Sequence, residues 1–296
     1  MSYVGRFAPS PTGPLHLGSI VTAVASFVHA RQAGGEWLVR IEDIDPPREV
    51  AGAADEILRT LESLELEWDR SVLYQSSRQD AYRETAEQLL AAGHAFRCDC
   101  SRSTVRAGND ATSGRYLGTC RDKHLAGPDT AIRLRVATSS TIRFVDGLQG
   151  VQATRLDATT GDYIVLRRDG LPAYHLAVVL DDAAQSVTTI VRGADLLDST
   201  PAHVHLQRAL SVPTPAYWHL PIVVNEQGQK LSKQTGAAPV LAGDSGVAAR
   251  ALELLGLTVP TELRAEPPRT LWQWAQTHWR IESLRGRRAV TEPREE

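Results

Sequence analysis

The first 43 residues hold a strand, a helix and a second strand in close succession, and no other feature constrains the fold as tightly. "SYVGRFAP" reads as a strand. Residues 18–33 carry Ile20, Val24, Phe27 and Val28 at the spacing of one buried helical face, and "EWLVRIED" reads as a strand that turns abruptly charged. Gly34 and Gly35 stop the helix. This spacing makes a βαβ unit, whose crossover requires parallel strands. In such sheets ligands bind beyond the carboxyl ends of the strands. Two irregular segments, "APSPTGPLHLG" and "RIEDIDPPRE", follow strands, so both are expected on one rim.

Helices are expected near 50–64 and 78–92. From 96 to about 157 short β-like runs, "AIRLRV" and "TIRFVDGLQG", alternate with turns, which reads as an insertion. Strand and helix signals resume from "YIVLRRDGLPAYHLAVVLDDA" through "AYWHLPIVVNEQGQKLSKQTG", with two further helices around 246–255 and 270–284. The tail "RGRRAVTEPREE" is expected to fray. There is no internal repeat. A net charge of −3 gives no overall field toward nucleic acid or membrane. No apolar run approaches the roughly 20 residues a bilayer needs, and the N-terminus lacks a signal-peptide core. Three cysteines, all between 98 and 120, make no disulfide framework. A reduced, cytoplasmic setting is expected.

A nucleotide enzyme built on βαβ needs a loop after the first strand that brings phosphates to a helix N-terminus. Neither the G-x-x-x-x-G-K-[ST] loop nor a strand-linked G-x-G-x-x-G is present. Pro9, Pro11, Gly13, Pro14, His16 and Gly18 stand there instead. The prolines fix the loop, Gly18 leaves room for a flat ring against the backbone, and His16 is aimed at the helix mouth. Far along the chain, "KLSKQ" sets Lys230 and Lys233 on a loop after a strand.

Together "PLHLG" and "KLSKQ" resemble the HIGH and KMSKS signatures of class I aminoacyl-tRNA synthetases. Leu17, Ser19, Leu231 and Gln234 depart from those signatures, while His16, Gly18, Lys230 and Lys233 remain. "GRFAPSPTGPLHLGS", "LVRIEDIDPPRE", "DGLPAYHLAVVLDDA" and "VRGADLLDSTPAHVHLQRAL" resemble the glutamyl-tRNA synthetase catalytic domain from residue 5 to about 240. A full-length glutamyl synthetase continues for one more domain, which binds the anticodon. A shorter chain with a cysteine-bearing insertion is similar to the glutamyl-queuosine tRNA(Asp) synthetases. That resemblance implies a cytoplasmic ligase, expected to be a monomer, with ATP, L-glutamate and queuosine-bearing tRNA(Asp) as partners and no membrane. It implies a Rossmann-type parallel sheet with an inserted zinc-bearing subdomain and a C-terminal helical region. The expected division is 1–95 and 161–240 for the two catalytic halves, 96–160 for the insertion and 241–296 for the helical region. The rival readings are a truncated glutamyl-tRNA synthetase charging the 3′ end and a non-catalytic RNA-binding paralogue.

By the same resemblance His16 and Lys233 are the catalytic residues, contacting the phosphates and neutralising the departing pyrophosphate. Pro9, His16, Gly18, Lys230 and Lys233 would bind ATP, with Mg²⁺ held mainly by phosphates and water. Arg6 and Arg192 match glutamate-binding positions, where a guanidinium fork suits a carboxylate. Glu42 would accept the α-ammonium, and Tyr174 and Ser10 would close the pocket with hydroxyls.

Cys98, Cys100 and Cys120 in a reduced compartment suggest a structural zinc ion. Ligand chemistry alone favours His124 as the fourth ligand, with Tyr116 as the alternative. The related enzymes carry a tyrosine at the position of Tyr116, which implies that Cys98, Cys100, Tyr116 and Cys120 form the set. "RSTVR" at 102–106 and "RIESLRGRR" at 280–288 are candidate phosphate contacts. Trp272, Trp274 and Trp279 are expected to pack in a core.

Overall fold

A computed structural model describes residues 2–107, 115–231, 238–240, 243 and 246–292, with the side chains of residues 102, 106 and 107 outside the description. Lys233 and Gln234 therefore lie outside the described residues, as do the guanidinium groups of Arg102 and Arg106. The chain begins β1 (Val4–Phe7), α1 (Leu17–Gln32), β2 (Glu36–Ile41), α2 (Ala53–Ser63), β3 (Leu73–Tyr74) and α3 (Gln79–Ala91). There follow β4 (Ala95–Cys98), α4 (Arg102–Ala107), β5 (Ala131–Leu134), β6 (Thr141–Asp146), β7 (Gly150–Arg155), α5 (Leu156–Thr159) and β8 (Tyr163–Leu166). It continues α6 (Tyr174–Ala184), β9 (Thr189–Gly193), α7 (Thr200–Ala209), β10 (Ala216–Leu220), β11 (Ile222–Val224), α8 (Gly246–Leu254), α9 (Pro268–His278) and β12 (Ala289–Thr291).

The βαβ unit forms as the sequence requires. β1 and β2 pair in parallel, from Val4 opposite Glu36 to Phe7 opposite Val39. β3 extends them in parallel. β9 and β10 make a second parallel pair, from Thr189 opposite Ala216 to Gly193 opposite Leu220. The Thr188 N–H donates to the Val4 carbonyl at 2.9 Å, and the Thr188 hydroxyl accepts from the Val4 N–H at 2.9 Å. These bonds seat β9 beside β1, so the carboxyl ends of both pairs share one rim. The mixed α/β class with a parallel sheet is thus realised.

Strand pairing crosses the region read as an insertion. β4, β5 and β8 form a separate antiparallel sheet. The β6–β7 hairpin instead joins the main sheet, with Asp146 opposite Tyr217 of β10. The last residues also differ from expectation. β12 pairs in parallel with β11, from Ile222 opposite Ala289 to Val224 opposite Thr291, so residues 289–291 are a strand and not a frayed tail. Their backbone groups find partners on β11 that no local pattern discloses.

α1 is buried on more than the single face its periodicity indicates. Ile20, Val24, Phe27 and Val28 are buried, and so are Val21, Ala23, Ala25, Ser26 and Ala30. The sheet covers one side, and Val247, Ala251, Leu252, Leu271 and Trp272 of α8 and α9 belong to the same core. Small residues let the neighbours approach, and the Ser26 hydroxyl accepts from the Trp37 indole at 2.9 Å, which satisfies both buried polar groups. The helix ends in a Schellman turn. The Gly34 N–H donates to Arg31 O at 3.1 Å and the Gly35 N–H to Ala30 O at 3.0 Å, with Gly34 at φ 62°. Among the described residues no helix is long and apolar enough to cross a membrane.

Trp272 and Trp279 are 2% and 1% exposed, and their indoles donate to Leu64 O at 2.7 Å and Leu255 O at 3.1 Å. Trp274 is only partly buried and stacks on His278. Replacing Trp272 with Ala removes a buried ring and its hydrogen bond. We expect a loss of about 3–5 kcal/mol in urea unfolding, against a much smaller loss for Trp274→Ala.

Candidate active site

A cleft of about 790 Å³ opens at the shared carboxyl rim of β1 and β9. It is lined by Arg6, Pro9, Ser10, His16, Gly18, Glu42, Tyr174, Arg192 and Lys230, nine of the ten residues expected to hold glutamate and ATP. Lys233, the tenth, lies outside the described residues. Residues spread from 6 to 230 converge because parallel strands deliver their following loops to the same edge.

His16 is the N-cap of α1. Its Nδ1 accepts the Ser19 N–H at 3.3 Å, and Nε2 stands 3.2 Å from the Ser19 hydroxyl. No acidic side chain occupies the first turn, so the positive end of the helix is left for an anion. The ring against Gly18 is that of His16. A Cβ there would sit 3.2 Å from two imidazole atoms and 3.8 Å from Leu231 O. The two signature segments therefore meet at Gly18. Val240 N–H donates to Leu15 O at 2.8 Å, which ties the far side of the lysine loop to the same place. Lys230 Nζ donates to Asp195 Oδ2 at 2.5 Å. Asp195 is a cleft residue the sequence reading missed.

The floor is a buried ionic network. Arg6 is 4% exposed, and its Nε donates to Asp182 Oδ1 at 3.2 Å. Among the described residues nothing pairs with Arg6 Nη1 or Nη2. Arg40 donates to the same Asp182 oxygen at 2.8 Å, to Gln185 Oε1 at 3.0 Å and to Glu42 Oε1 at 3.3 Å. Burial pushes Asp182 up, but Arg6 and Arg40 outweigh it and hold that carboxyl below the ordinary range. For Glu42 burial wins over Arg40 and Arg6, and its carboxyl is raised. A guanidinium with free ends can pair with a carboxylate, and a carboxylate beside it with an ammonium. Arg40 and Asp182 were not singled out from sequence. An arginine inside "WLVRI" and an aspartate pair closing "HLAVVLDD" are the signals that mark them.

Arg192 is held from several sides. It donates to Thr200 Oγ1 at 2.8 Å, His219 Nε2 at 3.1 Å and Leu196 O at 3.2 Å, and makes longer 3.4 Å contacts to Tyr174 and His203. Burial holds His203 and His219 below the ordinary histidine range. A side cavity of about 310 Å³, toward Ile164 of β8, shares Ser10, Thr12, Glu42, Arg48 and Tyr174 with the cleft.

The cysteines form a separate cluster. The sulfurs of Cys98, Cys100 and Cys120 lie within 4.8 Å of one another. The Tyr116 hydroxyl stands 3.4 Å from Cys98 Sγ and 3.8 Å from Cys100 Sγ, and accepts the Cys120 N–H at 2.8 Å. Exposed His124 is not in that cluster. Burial pushes the Cys98 thiol up, but hydrogen bonds from Tyr116 and Arg133 outweigh it and hold it below the ordinary range. The Arg133 guanidinium lies 3.9 Å from the centre of the Tyr116 ring. Three soft sulfurs this close together could hold a metal ion.

Residues 3–245 match the family described as tRNA synthetases class I (E and Q), catalytic domain. The chain is 52% identical over 282 residues to the glutamyl-Q tRNA(Asp) synthetase of Aromatoleum aromaticum, covering 94% of this chain and 89% of that one. It is 48% identical over 295 residues to the protein of the same name from Pseudomonas aeruginosa, covering 99% and 98%. A crystal structure of a glutamate tRNA ligase from Elizabethkingia meningosepticum superposes with a TM-score of 0.82 at 23% identity, covering 99% of this chain and 67% of that one. That likeness speaks for the fold.

Asp182 yields a test with a definite sign. Its folded carboxyl is depressed, so its stabilising contribution is present above the ordinary carboxylate range and is lost as pH falls through the folded value. Asp182→Asn leaves Arg40 without its closest carboxylate. We expect about 3–5 kcal/mol of destabilisation at neutral pH, shrinking on acidification when urea unfolding is followed against pH.

Proposed function

Because the chain belongs to the glutamyl-Q tRNA(Asp) synthetase family, within the class I synthetases for glutamate and glutamine, we propose that it activates L-glutamate with ATP and transfers it to the queuosine base in the tRNA(Asp) anticodon. In the first step an α-carboxylate oxygen of glutamate attacks the α-phosphorus. The bond to the β-phosphate breaks, and pyrophosphate leaves; Mg²⁺, held mainly by the phosphates, would neutralise part of their charge. In the second step a queuosine hydroxyl attacks the activated carbonyl carbon, its proton passes to the leaving phosphate, and AMP departs with the bonding electron pair.

The observation that carries the amino-acid side is Arg6, a buried guanidinium whose unpaired Nη atoms stand in the same cleft as Glu42. On this reading Arg6, Arg192 and Tyr174 take the side-chain carboxylate, Glu42 takes the α-ammonium, and Ser10 adds a hydrogen bond. Aspartate would fall short of the guanidiniums, and glutamine would bring donors to donors. The N-terminus of α1 with His16 takes phosphate, Pro9 and Gly18 wall the nucleotide, and Lys230 faces the phosphates. Lys233 is assigned to the departing pyrophosphate on its resemblance to the second lysine of KMSKS. The side cavity that shares Ser10, Thr12, Glu42, Arg48 and Tyr174 with the cleft gives an acceptor nucleoside room to approach. Cys98, Cys100, Tyr116 and Cys120 would hold a structural Zn²⁺ that supports the antiparallel sheet and takes no part in the chemistry.

Labelled glutamate, ATP and Mg²⁺ offered with two tRNA pools, one with queuosine and one without, test the acceptor. We expect label only in the first pool; equal label in both would mean charging of the 3′ end. Removing Arg6 should raise the glutamate KM in pyrophosphate exchange by about a hundredfold while the ATP KM holds. Glu42 predicts a pH dependence. Its carboxyl is raised by burial and binds the ammonium only when ionised, so acidification through its folded pKa weakens glutamate binding. Because that value is raised, the glutamate KM should start to climb on acidification before the ordinary carboxylate range is reached, and Glu42→Gln should flatten that climb.

A further inference from the structure

We infer that Asp146 is a positioning residue for the substrate carboxylate, acting through His219 on Arg192. The inference rests on the glutamate reading of Arg192 given above. Asp146 closes β6 in the run "TIRFVDGLQG", and His219 lies beside it on β10; they are 1% and 0% exposed. Asp146 Oδ1 accepts three backbone N–H groups, from Gln149 at 2.8 Å, Leu148 at 3.0 Å and His219 at 3.3 Å. Its other oxygen, Oδ2, lies 2.6 Å from His219 Nδ1. On the far side of the ring, His219 Nε2 lies 3.1 Å from Arg192 Nε.

A guanidinium nitrogen only donates, so Nε2 must be the acceptor. The single proton of the neutral ring is then on Nδ1 and is donated to Asp146. Burial, with the Arg192 charge alongside, keeps this ring neutral against the pull of Asp146. Asp146 thereby selects the tautomer that Arg192 requires. Thr200 and Leu196 occupy Arg192 Nη2 at 2.8 and 3.2 Å. The edge left is Nη1, whose contacts to the Tyr174 hydroxyl and His203 Nδ1 are both 3.4 Å. With Nε and Nη2 engaged, Arg192 presents Nη1 beside a tyrosine hydroxyl, and so takes one oxygen of a carboxylate from a fixed direction.

Asp146→Asn isolates the effect. Three backbone donors keep the amide oxygen at the Oδ1 position, so the amide nitrogen turns to His219 Nδ1. That nitrogen must then accept, the ring proton moves to Nε2, and two donors face each other at Arg192. We expect the glutamate KM in pyrophosphate exchange to rise roughly tenfold to a hundredfold with the ATP KM within about twofold. In His219→Gln the side-chain oxygen can accept from Arg192 without help from Asp146, so adding Asp146→Asn to that variant should cost little more. Nitrogen-15 NMR of the histidine-labelled native chain, with His219 assigned by its loss in His219→Gln, should give a protonated Nδ1 and a bare Nε2. A protonated Nε2 in the native chain overturns the inference whether or not Asp146→Asn folds. So does an equal rise of both KM values, an unchanged glutamate KM, or the same cost of Asp146→Asn in both backgrounds. Absence of glutamate-dependent exchange in the native chain would instead sink the glutamate reading, and the NMR result would still decide the tautomer.

Discussion

The carboxylate of Asp182 sits between two buried guanidiniums, and the cleft is organised around it. Neither Arg6 nor Arg40 could be buried on the carboxyl rim without a counter-charge, because desolvating a guanidinium is costly and its charge cannot be shed. One Asp182 oxygen takes Arg6 at 3.2 Å and Arg40 at 2.8 Å. Arg40 then reaches Glu42 at 3.3 Å. Charge on α6 is thus relayed to β1 and β2, and the free ends of Arg6 remain for a ligand. The neighbouring Asp181 does the structural counterpart. It accepts from Gln75, Arg78 and Tyr82 at 2.7, 2.6 and 2.8 Å, which anchors the start of α3 to α6. Two consecutive aspartates on one helix therefore serve opposite ends, one the packing and one the site.

The second constraint is α1. Its N-terminus opens on the cleft, and its body is the centre of a core closed by the sheet, α8 and α9. Fixing the helix on both sides fixes the direction in which its first-turn N–H groups point, which is the preorganisation a phosphate site needs. The loops before and after it are stiff for local reasons, proline on one side and the Gly34 turn on the other. His16 caps the helix and lines the cleft with the same ring.

The rim was legible in the sequence because two irregular segments follow strands, and parallel pairing converts that one-dimensional fact into a shared edge. Arg6, Glu42, Tyr174 and Arg192 were gathered by resemblance to the glutamyl-tRNA synthetases, and the fold brings all four to one cleft. The single buried face expected for α1 was too modest, because periodicity reports only the strongest stripe of a helix. Nothing local says that α8 and α9 will close over the other side. Residues 289–291 form a strand for the same kind of reason, since β11 supplies the partners.

The sequence by itself determined the βαβ core, the rim on which ligands gather and the grouping of three cysteines between 98 and 120, while the side chains expected on that rim came from resemblance to the class I synthetases. The core and the rim follow from periodicity, turn residues and spacing, which act within a few residues along the chain. The tertiary structure alone decided that Asp182 grips both Arg6 and Arg40, that the β6–β7 hairpin leaves the insertion to join β10, and that Asp146 sits on His219 behind Arg192. Those choices depend on which buried charge finds which partner when remote segments pack. A buried donor accepts any partner that satisfies it, so its identity is fixed in three dimensions and not by its neighbours in sequence.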